Sequence, residues 1–500
     1  MNKTSLTIAK NTGFLMASQV ITWVVALPLV IFLSRYLGPA RVGEIQVANS
    51  IWAIIGVIAA FGMDILLAKE IARDPNRTVE FVGLTTTLRF FFFLIGLGIV
   101  VLYINLVGYS QETILIVYII GISTLFTLWS GGLRSALQGL EKMEYISLAD
   151  AISKIFLTLA SIILLLLGFG VISMAALAIA AALIGLTIQF IALRRLIPLK
   201  FHFNWDPAWQ MLKSCIPYLT ATIFLVIYLE IDKIIISMFV NETAVGWYAA
   251  ASRLVGTFLF IPTVFIAAIF PVLSRMFSNT SEDLPRLMRK SFDLMLITGV
   301  PIGLGLLAIA QPLVVLLFGK DFANSGPILA IRGIVLILTY QTILLGYFCM
   351  STDKQNEWSI VMIVATIATI PLDLILVPWC QRAFGNGAIG GGLSYLITEA
   401  FMVFIGIFLL PRKTILRANA WLAGKVMLAG ILMVLSIYWL RDLFIGIPII
   451  IGAIVYLTAI YFLRVLTSDD RILVNYVIQL ILVRLHLMKV QTVGFDERNS

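Results

Sequence analysis

The chain contains 500 residues, of which 61% are hydrophobic and only 12% are charged, with a formal net charge of +9 and a mean hydropathy of +1.03. Soluble domains contain about 45–50% apolar and about 25% charged residues, so this composition excludes a soluble enzyme, a disordered chain and a nucleic-acid-binding domain. It indicates a polytopic membrane protein.

Apolar segments of membrane-spanning length follow one another along the whole chain. A transmembrane helix needs about 20 predominantly apolar residues. The sequence therefore predicts an all-α polytopic protein with about fourteen transmembrane helices joined by short loops. The predicted spans are 13–34, 44–68, 81–107, 113–137, 149–169, 171–193, 214–238, 247–273, 292–318, 328–350, 358–379, 388–410, 424–440 and 445–463.

The distribution of basic residues predicts the orientation of these helices. If the N-terminus is cytoplasmic, 24 of the 35 lysines and arginines lie in cytoplasmic segments and only 5 lie in outer loops. Cytoplasmic loops of membrane proteins carry an excess of lysine and arginine. We therefore expect both termini to be cytoplasmic and the number of spans to be even.

A weak internal repeat predicts two related halves. The stretch 31–51 aligns without gaps on 234–254 at an offset of 203, and the matches include Val-Gly at 42–43 and at 245–246. Both copies lie at the first outer loop of a six-helix unit. Because six is even, both units enter the membrane in the same direction, which predicts two parallel lobes related by an axis along the membrane normal.

The predicted domain organisation follows from this repeat. Residues 1–200 form an N-terminal six-helix lobe, residues 201–411 form a C-terminal six-helix lobe, and residues 412–463 add two transmembrane helices. We expect the tail, residues 464–500, to form an interfacial helix on the cytoplasmic surface. A fifteenth span is the alternative for this tail.

Cysteine and histidine contribute no chemical motif. The cysteines are Cys215, Cys349 and Cys380, and the histidines are His202 and His486. Their separation predicts neither a disulfide framework nor a redox CxxC pair, and a histidine-based metal site or catalytic triad is improbable. We therefore predict no cofactor, no metal site and no catalytic residue.

Charged side chains within the predicted spans are the candidate functional residues, because charge is costly inside a bilayer. The basic ones are Arg89, Arg134, Lys154, Lys233, Arg253 and Arg332, and the acidic ones are Asp64, Asp150, Glu230, Asp232, Asp293, Asp373 and Glu399. Two structural alternatives apply. Arg134 and Asp293 can snorkel to water from span ends, and the spacing of Asp150 and Lys154 suits an ion pair on one helix.

The basic residues predict an anionic substrate. We expect Arg89, Lys154, Lys233, Arg253 and Arg332 to line a water-filled cavity between the two lobes, with structural ion pairs, or snorkelling for Arg332, as the alternative. Guanidinium groups bind phosphate oxygens bidentately, and a low-dielectric cavity strengthens the attraction. A phosphate or pyrophosphate group on the substrate is the physical expectation.

The acidic residues offer sites for a coupling ion. Glu230, Asp232, Asp373 and Glu399 are candidates to carry a proton or to hold a cation. Lys233 lies beside two of them in sequence, so we expect either Glu230 or Asp232 to neutralise it. The sequence does not choose among the four.

The N-terminal segment carries a family resemblance. Asn11, the turn SRYLGP at 34–39 and Gly43, followed by GMD at 62–64 and KEIAR at 69–73, resemble the start of the polysaccharide-biosynthesis flippases. These belong to the multidrug/oligosaccharidyl-lipid/polysaccharide exporter superfamily. The family often has arginine at the first position of KEIAR, where this chain has lysine.

The resemblance implies a fourteen-helix protein with two six-helix lobes and a cationic lumen. It implies transport of a polyprenyl-pyrophosphate-linked oligosaccharide across a bacterial plasma membrane, for an O-antigen or exopolysaccharide. Arg35 is then a residue at the mouth of the lumen. The implied partners are the lipid-linked oligosaccharide, membrane lipid, and a glycan polymerase and chain-length proteins of the same pathway.

Two other functions remain open at this stage. An ion-coupled exporter of small drugs would fit better if acids dominated the cavity. A membrane-embedded glycan polymerase or ligase usually has a substantial outer loop or a catalytic histidine, whereas the longest outer loop here has about a dozen residues.

Overall fold

A computed structural model describes residues 3–197, 205–279, 283–410, 417–440 and 443–465. Over these ranges the regular structure is helical, which confirms the predicted all-α membrane fold. The helices are α1 Lys3–Ala60, α2 Met63–Arg73, α3 Thr78–Val107, α4 Gln111–Gly139, α5 Met143–Leu166, α6 Val171–Leu196, α7 Trp205–Phe239, α8 Glu242–Phe258, α9 Phe260–Ser278, α10 Leu284–Phe318, α11 Ser325–Ser351, α12 Gln355–Phe384, α13 Ala388–Leu409, α14 Arg417–Tyr438 and α15 Gly446–Phe462, with short 3-10 turns at Pro75–Arg77 and Lys320–Phe322.

Helix length and composition agree with a membrane location. In the part of the chain described, eleven helical segments are long and apolar enough to cross a bilayer, and α15 is a shorter apolar helix. Each of the fourteen predicted spans falls mainly on helical backbone. The number of crossings and the cytoplasmic placement of the termini stay predictions.

The first predicted span and most of the second lie in one helical element, α1, which has a kink. At Gly38 the backbone has φ 72° and ψ 172°, a conformation that glycine adopts without the steric cost of a Cβ atom. Pro39 follows, and its fixed φ suits the first position of the next helical segment. The predicted loop at 34–39 is therefore a sharp kink inside α1.

The predicted continuous helix over 44–68 is wrong in one respect, because the backbone breaks between α1 and α2. Phe61 and Gly62 have φ values of 48° and 69°. A Cβ atom on Gly62 would lie 2.5 Å from the backbone nitrogen of Leu219, so the break occurs where α7 approaches the chain. The predicted span 247–273 is likewise divided, into α8 and α9.

Helix packing positions the candidate site between elements from both parts of the sequence. α4, α5 and α6 pack on one another and on α1, and α10, α11, α12 and α13 form a second set of neighbours. α1 also packs along α7 and α8, so polar side chains on the second half of α1 face the C-terminal helices.

The last two helices are attached to α10. Their apolar contacts include Val300 and Leu304 of α10, Val426 and Ala429 of α14, and Tyr456 of α15. The Tyr456 hydroxyl also donates a hydrogen bond of 2.8 Å to the carbonyl oxygen of Ile297. The predicted boundaries at 200, 411 and 463 stay predictions, and the predicted interfacial helix of the tail lies outside the described residues from 466 onward.

Candidate functional site

The first cavity, cavity A, lies between α1, α7, α8, α11 and α13 and has a volume of about 300 Å³. Its charged and amide-bearing wall is formed by Gln46, Glu230, Lys233, Arg253 and Arg332. Three of the predicted basic residues therefore lie on one cavity, together with one carboxylate.

The second cavity, cavity B, is larger, at about 690 Å³, and lies between α1, α4, α5, α6, α8, α9 and α10. Its charged lining residues are Lys154 of α5 and Arg253 of α8, and Asn49 of α1 is another polar one. Arg253 lines both cavities. The basic side chains of cavity B thus come from the two halves of the sequence, as a cavity between lobes would require.

Lys154 and Arg253 lack acidic partners. Among the described residues neither has a carboxylate oxygen within the 4.0 Å limit of an ion pair. Arg253 Nη2 donates a hydrogen bond of 3.2 Å to Oε1 of Gln46. Two cations facing one cavity without a counter-charge are unfavourable at reduced dielectric, and an anion bound between them would relieve that cost.

The alternative in which Asp150 pairs with Lys154 is not the arrangement that the structure shows. The carboxylate of Asp150 lies 2.9 Å from Nη1 of Arg134 on the neighbouring helix α4. Lys154 is left to face cavity B.

Lys233 is neutralised within its own helix. Its Nζ lies 2.6 Å from Oε2 of Glu230, and the hydroxyl of Ser50 donates to the same oxygen at 2.6 Å. Of the two acids predicted as neutralising partners, Glu230 makes this contact. The three side chains also connect α1 to α7.

Arg332 contacts two aromatic rings. Its guanidinium carbon lies 4.7 Å from the ring centre of Tyr248 and 4.3 Å from that of Tyr395, within the range of cation–π attraction. Nη2 donates to the Tyr248 hydroxyl oxygen and lies 3.8 Å from Oδ2 of Asp232. The Tyr248 hydroxyl in turn donates to Oδ2 of Asp232.

Three of the predicted acids are buried in the C-terminal helices. Asp232 of α7 and Asp373 of α12 are 1% and 0% exposed, and these two helices pack against each other. In the described part of the chain, Oδ1 of Asp232 and both carboxyl oxygens of Asp373 lack a hydrogen-bond partner. Glu399 accepts from the hydroxyls of Thr342 at 2.6 Å and Tyr228 at 3.5 Å. Buried unpartnered acids are costly, and a proton or cation would lower that cost.

Arg89 is placed apart from cavities A and B. It is 1% exposed, and its Nη2 lies 2.6 Å from Oδ1 of Asp64. Another donor of the same guanidinium bonds to the carbonyl oxygen of Leu128. The pair borders a third cavity of about 390 Å³, which shares Asn49 with cavity B. The structure therefore brings Lys154, Lys233, Arg253 and Arg332 to cavities A and B and ties Arg89 to a carboxylate beside them.

Arg35 contacts the end of another helix. Its exposed side chain donates from Nε to the carbonyl oxygen of Leu317 at 2.7 Å, and its Nη2 bonds to the carbonyl oxygen of Leu316. These carbonyls belong to the last turn of α10, where a cation is favoured by the helix dipole. Arg35 thus connects the kinked region of α1 to α10.

The sequence prediction missed several uncharged residues of the site. Gln46, Asn49 and Ser50 are polar side chains within an apolar span, and that contrast alone marks them as candidates. Tyr248 and Tyr395, which hold Arg332, carry no comparable feature, since tyrosine in a membrane helix is equally compatible with simple packing.

Helices of membrane-spanning length that enclose a charged cavity define a membrane transport protein as the class of this molecule. A family model described as polysaccharide biosynthesis protein matches residues 8–277, which is more than half of the chain. The protein therefore belongs to the polysaccharide biosynthesis protein family, and the resemblance predicted from the sequence is confirmed.

Relatives and solved structures agree with this assignment. The chain is 23% identical over 460 residues to the succinoglycan biosynthesis transport protein ExoT of Rhizobium meliloti, covering 88% of this chain and 87% of the relative. It is 20% identical to the probable low-salt glycan biosynthesis flippase Agl15 of Haloferax volcanii over 44% of this chain and 48% of that protein. Its fold is similar to the lipid II flippase MurJ in an inward closed conformation, with a TM-score of 0.70, 17% identity and coverage of 90% of this chain and 98% of the other.

The fold is also similar to that of an inward-facing multidrug resistance MATE transporter of the MOP superfamily. The TM-score is 0.64 at 14% identity, covering 77% of this chain and 94% of the transporter. The helical architecture is therefore one that flippases and drug transporters share, and the substrate has to be argued from the cavity residues.

Proposed function

We propose that the protein moves a polyprenyl-pyrophosphate-linked oligosaccharide across the bacterial plasma membrane for the synthesis of a surface polysaccharide. The observation that carries this proposal is that Lys154 and Arg253 face cavity B and that, in the part of the chain that the structure describes, neither has a carboxylate partner. A pyrophosphate group supplies the counter-charge that both side chains lack, and arginine can bind its oxygens through two donors at once.

The positions of the two cations suit alternating access. Lys154 lies on α5 and Arg253 on α8, so an anion between them contacts both halves of the sequence. When the two lobes rock about a central site, the distance between the cations changes, and the affinity for the anion changes with it. The prenyl chain would stay in lipid while the charged group passes.

The named relatives support a saccharide-linked substrate. ExoT is a transport protein of succinoglycan biosynthesis, Agl15 is a probable glycan biosynthesis flippase, and MurJ is a lipid II flippase. These relatives favour transport over a polymerase or ligase, and a cavity in which cations outnumber acids disfavours an exporter of organic cations. The glycan polymerase and chain-length proteins of the pathway are the expected partners, and both termini are expected in the cytoplasm.

The buried acids provide the coupling site in this proposal. Asp232 and Asp373 are almost completely buried on two helices that pack against each other, so a proton or a monovalent cation that binds there would lower the cost of their charge. Glu399 and Glu230 are further candidates, although Glu230 is already paired with Lys233.

The test uses a bacterial strain from which the gene has been deleted and which carries plasmid-borne variants. Lys154→Gln together with Arg253→Gln should abolish the surface polymer while the protein remains at its normal level in the membrane. The lipid-linked oligosaccharide should accumulate on the cytoplasmic side. Accumulation on the outer side would instead indicate a defect in polymerisation.

A matched control removes an arginine from the end of a helix. Arg77 pairs with Glu80 at the start of α3, where both side chains are exposed, so Arg77→Gln should leave the polymer unchanged. Normal polymer from the Lys154 and Arg253 double variant would refute the anion site.

A further inference from the structure

One cation in the C-terminal helices is shared between two environments. Arg332 lines cavity A, and its guanidinium also contacts the buried acid Asp232. We propose that Arg332 couples the binding of an anion in cavity A to the charge state of the Asp232–Asp373 pair. This inference rests on the proposed function, since Arg253, one of the two cations of the anion site proposed in cavity B, also lines cavity A beside Arg332.

The connection runs through direct contacts. Nη2 of Arg332 lies 3.8 Å from Oδ2 of Asp232, and the Tyr248 hydroxyl accepts from Arg332 and donates to the same carboxylate oxygen. Asp373 is buried on α12, which packs against α7, the helix that carries Asp232. A change of charge on the acid pair therefore changes the electrostatic potential at Arg332, because only a few ångströms of buried, low-dielectric surroundings separate them.

The aromatic rings restrict how Arg332 responds. The rings of Tyr248 and Tyr395 both lie within cation–π distance of the guanidinium, and the Tyr248 hydroxyl accepts a hydrogen bond from it, so these contacts hold Arg332 beside the cavity. Arg332 therefore acts on a ligand through its charge.

The charges give the direction of the coupling. When Asp232 and Asp373 are ionised, their negative charge offsets the positive charge of Arg332. The charge of Lys233 is offset by Glu230. Uptake of one proton or monovalent cation reduces the net charge of the two acids from −2 to −1, so the charge of Arg332 is offset less and cavity A attracts an anion more strongly. By linkage the anion must then strengthen cation binding by the same factor, so the two ligands favour each other.

The experiment measures binding of radiolabelled inorganic pyrophosphate to the purified full chain in lipid nanodiscs, at fixed pH and salt. Asp232→Asn imitates the acid pair with one of its two charges neutralised, at nearly constant volume. It should tighten pyrophosphate binding at least about fivefold, the lower end of typical coupling between sites. Arg332→Gln should weaken binding, and in the Arg332→Gln background Asp232→Asn should give no gain.

Two further variants separate coupling from a structural effect. Arg332→Lys keeps the charge, so part of the gain from Asp232→Asn should return in that background. Glu80→Gln removes a carboxylate from an arginine at the start of α3 and should leave binding unchanged. The elution profile on gel filtration reports whether each variant is folded, and Arg332→Lys keeps the test decisive if Arg332→Gln does not fold.

The outcomes distinguish this inference from the proposed function. No gain from Asp232→Asn, or an equal gain with and without Arg332, overturns the coupling. If Lys154→Gln with Arg253→Gln abolishes pyrophosphate binding in the same assay, the anion site stands even when the coupling fails. Absence of binding in both the wild type and Asp232→Asn overturns the two together.

Discussion

Gly43 of α1 and Gly246 of α8 form a reciprocal contact. A Cβ atom on Gly43 would lie 1.7 Å from the carbonyl oxygen of Glu242, and one on Gly246 would lie 2.0 Å from the carbonyl oxygen of Pro39. In the repeat with an offset of 203, Gly43 matches Gly246 and Pro39 matches Glu242. Exchanging the two repeats therefore turns the first of these contacts into the second. This is expected for two lobes related by an axis along the membrane normal.

Side chains introduced at this contact should force the two helices apart. Gly43→Ala or Gly246→Ala places a methyl group inside the van der Waals radius of a backbone oxygen, and overpacking of this kind costs about 1–3 kcal/mol. We expect the distance between spin labels on the nearby ends of α1 and α8 to increase, as measured by pulsed electron paramagnetic resonance.

The matched control lies on the same helix. Gly256 of α8 has open space at its Cβ position, so Gly256→Ala should leave the label distance unchanged. Unchanged distances in Gly43→Ala and Gly246→Ala would show that this contact does not hold the two helices together.

The two residues of the Arg89–Asp64 pair should differ in how much stability is lost when each is replaced. Arg89 is almost fully buried, whereas the Asp64 side chain is 47% exposed. Asp64→Ala leaves a buried cation without its partner and should cost about 3–5 kcal/mol. Arg89→Met leaves a half-exposed carboxylate and should cost clearly less.

Thermal unfolding of the purified variants in detergent checks this order of stability. In the double variant Asp64→Ala with Arg89→Met, the unpaired buried charge is gone, so stability should recover relative to Asp64→Ala alone. A greater loss from Arg89→Met than from Asp64→Ala would contradict the structural role of this pair.

Much of the architecture could be predicted from composition and hydropathy. The lengths of the apolar segments locate the helices, because bilayer thickness fixes the length that a spanning helix needs. The breaks at Phe61 and Leu259 could not be predicted, since they lie within apolar runs and at least the first occurs where another helix approaches. Such contacts are long-range and leave no local pattern.

The candidate site, like the fold, could be predicted only in part. The rarity of charge in membrane helices identified Lys154, Lys233 and Arg253, and sequence neighbours suggested that Glu230 or Asp232 offsets Lys233. The partner of Asp150 could not be predicted from helical spacing, because the competing Arg134 comes from α4. Ion pairs between helices depend on how those helices pack, which a single sequence does not reveal.

Gln46 orients Arg253, and replacing Gln46 should weaken pyrophosphate binding. Its Oε1 accepts the 3.2 Å hydrogen bond from Arg253, and a hydrogen bond to a charged group contributes about 1.5–3 kcal/mol. Gln46→Leu should therefore weaken pyrophosphate binding about tenfold or more, whereas Gln46→Glu should weaken it further by adding a competing carboxylate. Equal binding by Gln46→Leu and the wild type would contradict an orienting role.

The hydroxyl of Thr342 stabilises the buried carboxyl of Glu399. Thr342 Oγ1 donates at 2.6 Å to Oε2, and the contact from Tyr228 is longer, at 3.5 Å. Thr342→Val keeps the shape and removes this donor, so it should lower the free energy of unfolding by about 1–3 kcal/mol. In the Glu399→Met background the same change should cost little, because no acid is left that needs the donor.

A double-mutant cycle measured by thermal unfolding isolates this interaction. The control is Thr87→Val, because within the described ranges the Thr87 hydroxyl bonds only to the Gly83 carbonyl of its own helix. Equal costs of Thr342→Val in both backgrounds would show that the hydroxyl acts independently of Glu399.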